Sequence, residues 1–88
     1  MRYLPALIVA CLATSPSLHA QSTLLESVKR NPEEAVAMCK RFRSLNKEGI
    51  SANSKEAIAE ISKQKNLSVI DAEILSIYVI GLNCPDVN

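Results

Sequence analysis

Two cysteines, Cys39 and Cys84, are the residues of this chain whose chemistry is most definite. They lie far apart in the sequence, so they form no Cys-x-x-Cys motif of the kind that activates a redox thiol. In an oxidising compartment, an isolated pair of cysteines forms a structural disulfide. We therefore predict a Cys39–Cys84 disulfide that stabilises the fold, with bonds to other chains as the alternative.

Residues suited to catalysis are scarce. The only histidine, His19, lies in a segment that we expect to be removed, which leaves no imidazole for a Ser-His or Cys-His pair or for a zinc site. Two glycines in the whole chain form no glycine-rich phosphate loop. The carboxylate pairs, Glu33 with Glu34 and Asp71 with Glu73, lie at predicted helix starts, where they complement the helix dipole. We expect no enzymatic activity, no cofactor and no bound metal.

Three basic residues, Lys40, Arg43 and Lys47, recur at helical spacing and predict a positively charged stripe. Such a stripe could bind an anionic surface such as lipid phosphates, and a solvated face without a ligand is the alternative. The chain as a whole has 10 basic and 9 acidic residues, a balance that gives no bulk attraction to nucleic acid. Its aromatic residues are also too few for base stacking, so nucleic acid is not an expected partner.

The N-terminal residues have the pattern of an export signal. Arg2 precedes a short apolar stretch at positions 4–12, and the following polar segment ends with the small residue Ala20. We predict that residues 1–20 are a signal peptide, cleaved before Gln21. The protein would then be exported to the periplasm or the extracellular space, where a disulfide is stable.

Two alternatives for this segment remain open. The apolar stretch could stay as a membrane anchor, although it is shorter than the roughly 20 residues that span a bilayer. The run Ile8-Val9-Ala10-Cys11 also resembles the lipobox of bacterial lipoproteins. In that case Cys11 would be lipidated, and the residues after it would tether the domain to a membrane.

Residues 21–88 are predicted to form one small domain with four helices, or five. A chain of this length buries a small core and is marginal without a crosslink. Helix stops are predicted at Gly49, Asn66 and Pro85, and no segment alternates with the two-residue period of a strand. The fold class is therefore an all-α bundle closed by one disulfide. The predicted helix starts, in chain order, are Thr23, Asn31 with Pro32, Ser51 or Ser54, and Ser68.

The last predicted helix is apolar on more than one side. Val79 and Ile80 lie outside its main apolar face, and Val69 stands at its start. One interpretation is that the other helices surround this helix and bury all of it. The alternative is that Val69, Val79 and Ile80 form an exposed patch that binds a partner protein or a second copy of the chain.

The chain combines several short motifs: Leu24-Leu25, Cys39, Gly49-Ile50-Ser51, Leu67-Ser68 with Ala72, the apolar run of the last helix, and Cys84-Pro85. In this combination it is similar to the small secreted helical domain of unknown function that is common in mycobacteria and other actinobacteria. That resemblance implies a helical fold closed by a disulfide and no assigned activity.

Taken together, the residues predict a non-catalytic binding module that acts outside the cytoplasm. Its partner would be an unknown protein or a second copy. One alternative is an envelope- or membrane-associated protein that uses the basic stripe or a lipid on Cys11. A second alternative is a periplasmic stress chaperone.

Overall fold

The computed structural model describes residues 17–88 of the chain, with side-chain environments from Thr23 onward. This part contains four α-helices and no β-strand: α1 (Ser17–Arg30), α2 (Pro32–Lys47), α3 (Lys55–Lys65) and α4 (Val69–Asn83). The predicted all-α class with four helices is confirmed. The predicted signal peptide lies outside the described residues apart from positions 17–20, which begin α1, and Cys11 also lies outside them.

Serine caps determine where α3 and α4 begin. The hydroxyl oxygen of Ser54 accepts a hydrogen bond from the backbone N–H of Ala57 at 3.2 Å. That of Ser68 accepts one from the N–H of Asp71 at 3.1 Å. Both caps supply partners that the first turn of a helix lacks. Of the two candidates for the start of α3, Ser54 rather than Ser51 is therefore the cap.

The junction between α1 and α2 differs from the prediction. Helix α1 begins at Ser17, so Thr23 lies inside it and does not start it. Asn31 precedes Pro32 as predicted, but its side chain does not cap α2. Its amide nitrogen instead donates to the carbonyl oxygen of Ser27 at 2.9 Å. Because a single residue separates the two helices, the Asn31 amide reaches the last turn of α1, where carbonyl groups need donors.

Residues with positive φ end α2 and α3. Asn66 has a φ of 54° and is the C-cap of α3. Gly49, with a φ of 79°, follows the end of α2. Asparagine and glycine are the residues that adopt this left-handed conformation most readily. Both predicted stop signals are confirmed.

Helix α4 is the central element of the bundle. It packs against α1, α2 and α3, whereas α2 and α3 share no extensive interface. Phe42 of α2 is completely buried at the centre of the core. One face of α4 nevertheless stays exposed, so the other helices surround only part of this helix. The buried core residues are Leu24, Val28, Ala35, Met38, Cys39, Phe42, Leu45, Ala52, Ala57, Ile58, Ile61, Ala72, Leu75, Val79, Cys84 and Val87.

A disulfide joins the middle of α2 to the end of α4. The sulfur atoms of Cys39 and Cys84 are bonded, and the two residues are 45 positions apart in the sequence. Both residues are buried, with exposed fractions of 2% and 0%. The predicted pairing within one chain is thus present, with its sulfur atoms inside the core.

The segment after α4, residues 84–88, runs along α2. We call it the closing segment. Three residues on one side of α2 hold it: Cys39 through the disulfide, Arg43 through the carboxylate of Asp86, and Asn46 through the backbone of Asn88. The closing segment therefore has a covalent, an ionic and a hydrogen-bonded link to the same helix.

Candidate functional site

Helix α4 exposes several large aliphatic side chains on one side, although it is the central helix of the bundle. Val69, Ile70 and Ile77 have exposed fractions of 60%, 70% and 60%, and Ile80 is half-buried beside them. At 100° per residue, these four positions fall within an arc of about 100°. We call this surface of Val69, Ile70, Ile77 and Ile80 the α4 face.

The α4 face corrects the patch predicted from the sequence. Val79 is only 1% exposed and belongs to the core, so its inclusion in the patch was wrong. Val69 and Ile80, the other two predicted members, do lie together on the α4 face. Ile70 and Ile77 were missed. Their spacing of seven residues, which returns a helix to the same side after two turns, was the available signal.

The charge of α4 is purely acidic. Its charged residues are Asp71 and Glu73, and it has no lysine or arginine. Asp71 is half-buried on another side of the helix, whereas Glu73 is exposed and falls within the arc of the α4 face. Within residues 17–88, Glu73 takes part in no ion pair. The α4 face is therefore aliphatic with one unpaired carboxylate.

A groove separates α2 from α3. Its volume is about 550 Å³, and two ion pairs cross it, Arg41 with Glu60 and Lys65 with Glu34. The guanidinium of Arg41 donates to both carboxylate oxygens of Glu60, at 2.8 and 2.9 Å. The groove is lined by Glu34, Ala37, Met38, Arg41, Glu60, Ile61, Gln64 and Lys65.

The two ion pairs have opposite orientations across the groove. In one the cation belongs to α2, and in the other it belongs to α3. The groove therefore has no net sign of charge, and its charged groups already satisfy one another. These two pairs link α2 and α3, which share no extensive interface.

The Arg41–Glu60 pair predicts a dependence of stability on pH. Hydrogen bonding from Arg41 lowers the pKa of Glu60 below its ordinary value. A lowered carboxyl pKa stabilises the fold above the unfolded pKa, and the stabilisation is lost as pH falls through the folded pKa. We expect Glu60→Gln to reduce the melting temperature at pH 7, and the difference from the wild type to shrink towards zero near pH 2. Thermal unfolding followed by circular dichroism across this range measures both.

Glu73→Gln is the matched control, because Glu73 is exposed, lies beyond the first turn of α4 and takes part in no ion pair within the described residues. If Glu60→Gln lowered the melting temperature by the same amount at every pH down to 2, the charge of the Glu60 carboxylate would not be what stabilises this contact. Since the pair is largely exposed, the expected effect at pH 7 is small.

The predicted basic stripe exists, but its middle charge is neutralised. Lys40 and Lys47 are exposed on α2, as the helical spacing indicates. Arg43 donates to both carboxylate oxygens of Asp86 at 3.0 Å. This hydrogen bonding lowers the pKa of Asp86 and raises that of Arg43. Two separate lysines and a neutralised pair attract an anionic surface less than three free cations would.

Helices α2 and α4, which carry the basic stripe and the α4 face, pack against each other through their buried sides. Among the four described helices, none alone is long and apolar enough to cross a membrane; α3 and α4 reach the required length and composition only together, with a bend of 99° between them.

From residue 17 onward, no three histidine, cysteine or acidic side chains are grouped so that they could hold a metal ion. Near the closing segment, a cavity of about 200 Å³ is lined by Asn46, Gly49, Ile50, Ser51 and Asn88. The side-chain amide of Asn46 donates there to the carbonyl oxygens of Ile50 and Asn88 and accepts from the N–H of Asn88.

Comparison with known proteins gives one match. The family model described as "Domain of unknown function (DUF8664)" matches residues 25–84, from the second half of α1 to the second bridging cysteine. No curated protein matches the chain, and no solved structure matches it. The matched range contains α2, α3, α4 and both cysteines of the disulfide.

Proposed function

We propose that this chain, which belongs to the DUF8664 family of domains of unknown function, is a non-catalytic binding module that docks on a partner protein through the α4 face. The observation that carries the proposal is the exposure of Ile70 and Ile77, at 70% and 60%. Complete burial of a large aliphatic side chain stabilises a protein by about 1.5–3 kcal/mol. The domain alone leaves most of that stabilisation unused at these positions.

The clustering of these side chains matters more than their number. Single exposed aliphatic residues are common on protein surfaces. A contiguous patch on one helix face is rarer and marks an interaction site more often. Here the patch lies on the helix that also organises the core, so its position is fixed by the packing of three other helices.

The non-enzymatic part of the proposal rests on residue types. Cys39 and Cys84 are bonded to each other and offer no thiolate nucleophile. The sequence has no histidine after His19. Exposed carboxylates and lysines remain, and four of the carboxylates are held in ion pairs: Glu26, Glu34, Glu60 and Asp86.

We propose that the module acts in the periplasm or outside the cell, after removal of residues 1–20. The buried Cys39–Cys84 bond supports an oxidising compartment. The narrower likeness to secreted proteins of mycobacteria and other actinobacteria stays a prediction. The envelope-associated and chaperone alternatives gain no supporting observation, and the pairing of Arg43 with Asp86 weakens the former.

Ile77→Asp tests the proposal. A charged side chain in the middle of the α4 face should weaken partner binding by about 2 kcal/mol or more, which is roughly 30-fold in Kd. Immobilised wild-type and variant proteins would be exposed to periplasmic and medium fractions of the source organism. Each captured protein would then be purified and its Kd measured by calorimetry.

Val36→Asp is the matched control, because Val36 is 50% exposed on the outer side of α2. It should bind every partner as the wild type does, and both variants should keep the wild-type melting temperature within a few degrees. If Ile77→Asp binds all purified partners with unchanged affinity, the α4 face is not the docking surface.

A further inference from the structure

The α4 face is a narrow ridge, which restricts the shape of its partner. From Val69 to Ile80 it extends for about 16 Å along one helix. Its backbone is helical, so it offers no extended edge to which a partner strand could add through main-chain hydrogen bonds. A second helix, whose side chains pack between those of α4, fits a ridge of this shape.

The charge of α4 restricts the partner further. Docking on the α4 face would take the carboxylate of Glu73 out of water. A desolvated carboxylate without a partner opposes binding, whereas a cation opposite it restores a favourable contact. Helix α4 supplies no cation of its own.

We infer that the occupant of the α4 face is an amphipathic helix of another protein, with an apolar stripe and a lysine or arginine placed opposite Glu73. This inference rests on the proposed function, since it concerns the same surface.

A second copy of the chain fits the α4 face less well. Two α4 helices packed together would contribute Asp71 and Glu73 twice and no basic residue.

An anionic membrane fits it less well too. Helices that lie on such membranes have lysine and arginine beside the apolar face. Within the arc of the α4 face, α4 presents a carboxylate instead. A partner helix with a basic residue is therefore the occupant that both shape and charge favour.

Selection from a library of helical peptides tests the inference. The peptides have a fixed aliphatic stripe, and each flanking position is varied among Lys, Gln and Glu. The target is the oxidised full domain. We expect the selected peptides to have lysine at one flanking position, and to bind wild type about 10-fold more tightly than Glu73→Lys. Reversing that lysine to glutamate should restore binding to Glu73→Lys, as a charge-swap cycle requires.

Two control variants separate the possible outcomes. Glu33→Lys changes the net charge as Glu73→Lys does, but on α2, and should leave peptide binding unchanged. Ile77→Asp should abolish it. Selected peptides that need Ile77 but show no preference for lysine would overturn the inference and leave the proposed function standing.

Two outcomes would count against both the inferred partner helix and the proposed docking function. One is that the selected peptides bind Ile77→Asp as well as wild type, and the other is that the selection yields no binder. Sedimentation of the wild type measures its oligomeric state and tests whether a second copy is the occupant. A dimer that Ile77→Asp disrupts would identify a second copy as the occupant, and would overturn the inference of a basic helix.

Discussion

Replacement of Cys39 and Cys84 together by alanine is expected to lower the free energy of unfolding by about 4 kcal/mol. The bond closes a loop with a sequence separation of 45, and its loss restores the freedom of that loop in the unfolded chain. Small domains have total stabilities of about 5–15 kcal/mol, so this loss would remove at least about a quarter of the total. Urea denaturation followed by circular dichroism measures the change.

Reduced wild-type protein is the control for this variant. It should unfold at nearly the same urea concentration as the double alanine variant, since both lack the crosslink. The oxidised wild type should resist reductant until denaturant is added, because Cys39 and Cys84 are 2% and 0% exposed. A double variant within 1 kcal/mol of the oxidised wild type would contradict the role assigned to the bond.

Phe42→Ala is expected to cost about 3–5 kcal/mol. Phe42 is completely buried and is the only phenylalanine of the chain. It lies one turn beyond Cys39, so its ring fills the core next to the disulfide. Truncation removes buried apolar surface and leaves a cavity that four short helices cannot close without losing other contacts. The same urea denaturation, at a fixed oxidation state, measures the loss.

Two substitutions calibrate the Phe42 result. Phe42→Leu should cost less than Phe42→Ala, because it keeps most of the apolar volume. Val36→Ala, on the exposed side of the same helix, should change stability by less than about 0.5 kcal/mol. If Phe42→Ala lowered the free energy of unfolding by less than 1 kcal/mol, the neighbouring side chains would have repacked to fill the cavity.

The features that the sequence predicted well are those that depend on neighbouring residues. Ser54, Ser68 and Asn66 act within one helical turn of their own positions. The apolar stripe of α2 likewise has a period that can be read directly. The disulfide was also predictable, although it is long-range, because Cys39 and Cys84 were the only cysteines outside the predicted signal peptide.

The features that were missed depend on how the helices pack. Arg43 and Asp86 are separated by 43 positions, and Arg41 and Glu60 by 19. No local pattern indicates which of many surface charges meet after folding. The α4 face was misjudged for a related reason, because an almost wholly apolar helix gives no polar side from which to assign its orientation. Only its contacts with three other helices decide that Val79 faces inward and Ile77 outward.

The position of the Cys39–Cys84 bond has a mechanical consequence. When tension is applied along the chain, the load passes from Cys84 through the two sulfur atoms into Cys39 and bypasses residues 40–83. Fully extended, residues 40–83 would span about 150 Å, and the disulfide prevents this length from being pulled out. Helices α3 and α4 and the core around Phe42 lie in this unloaded loop. The module can therefore be pulled at both ends while the helix that presents the α4 face bears no direct tension.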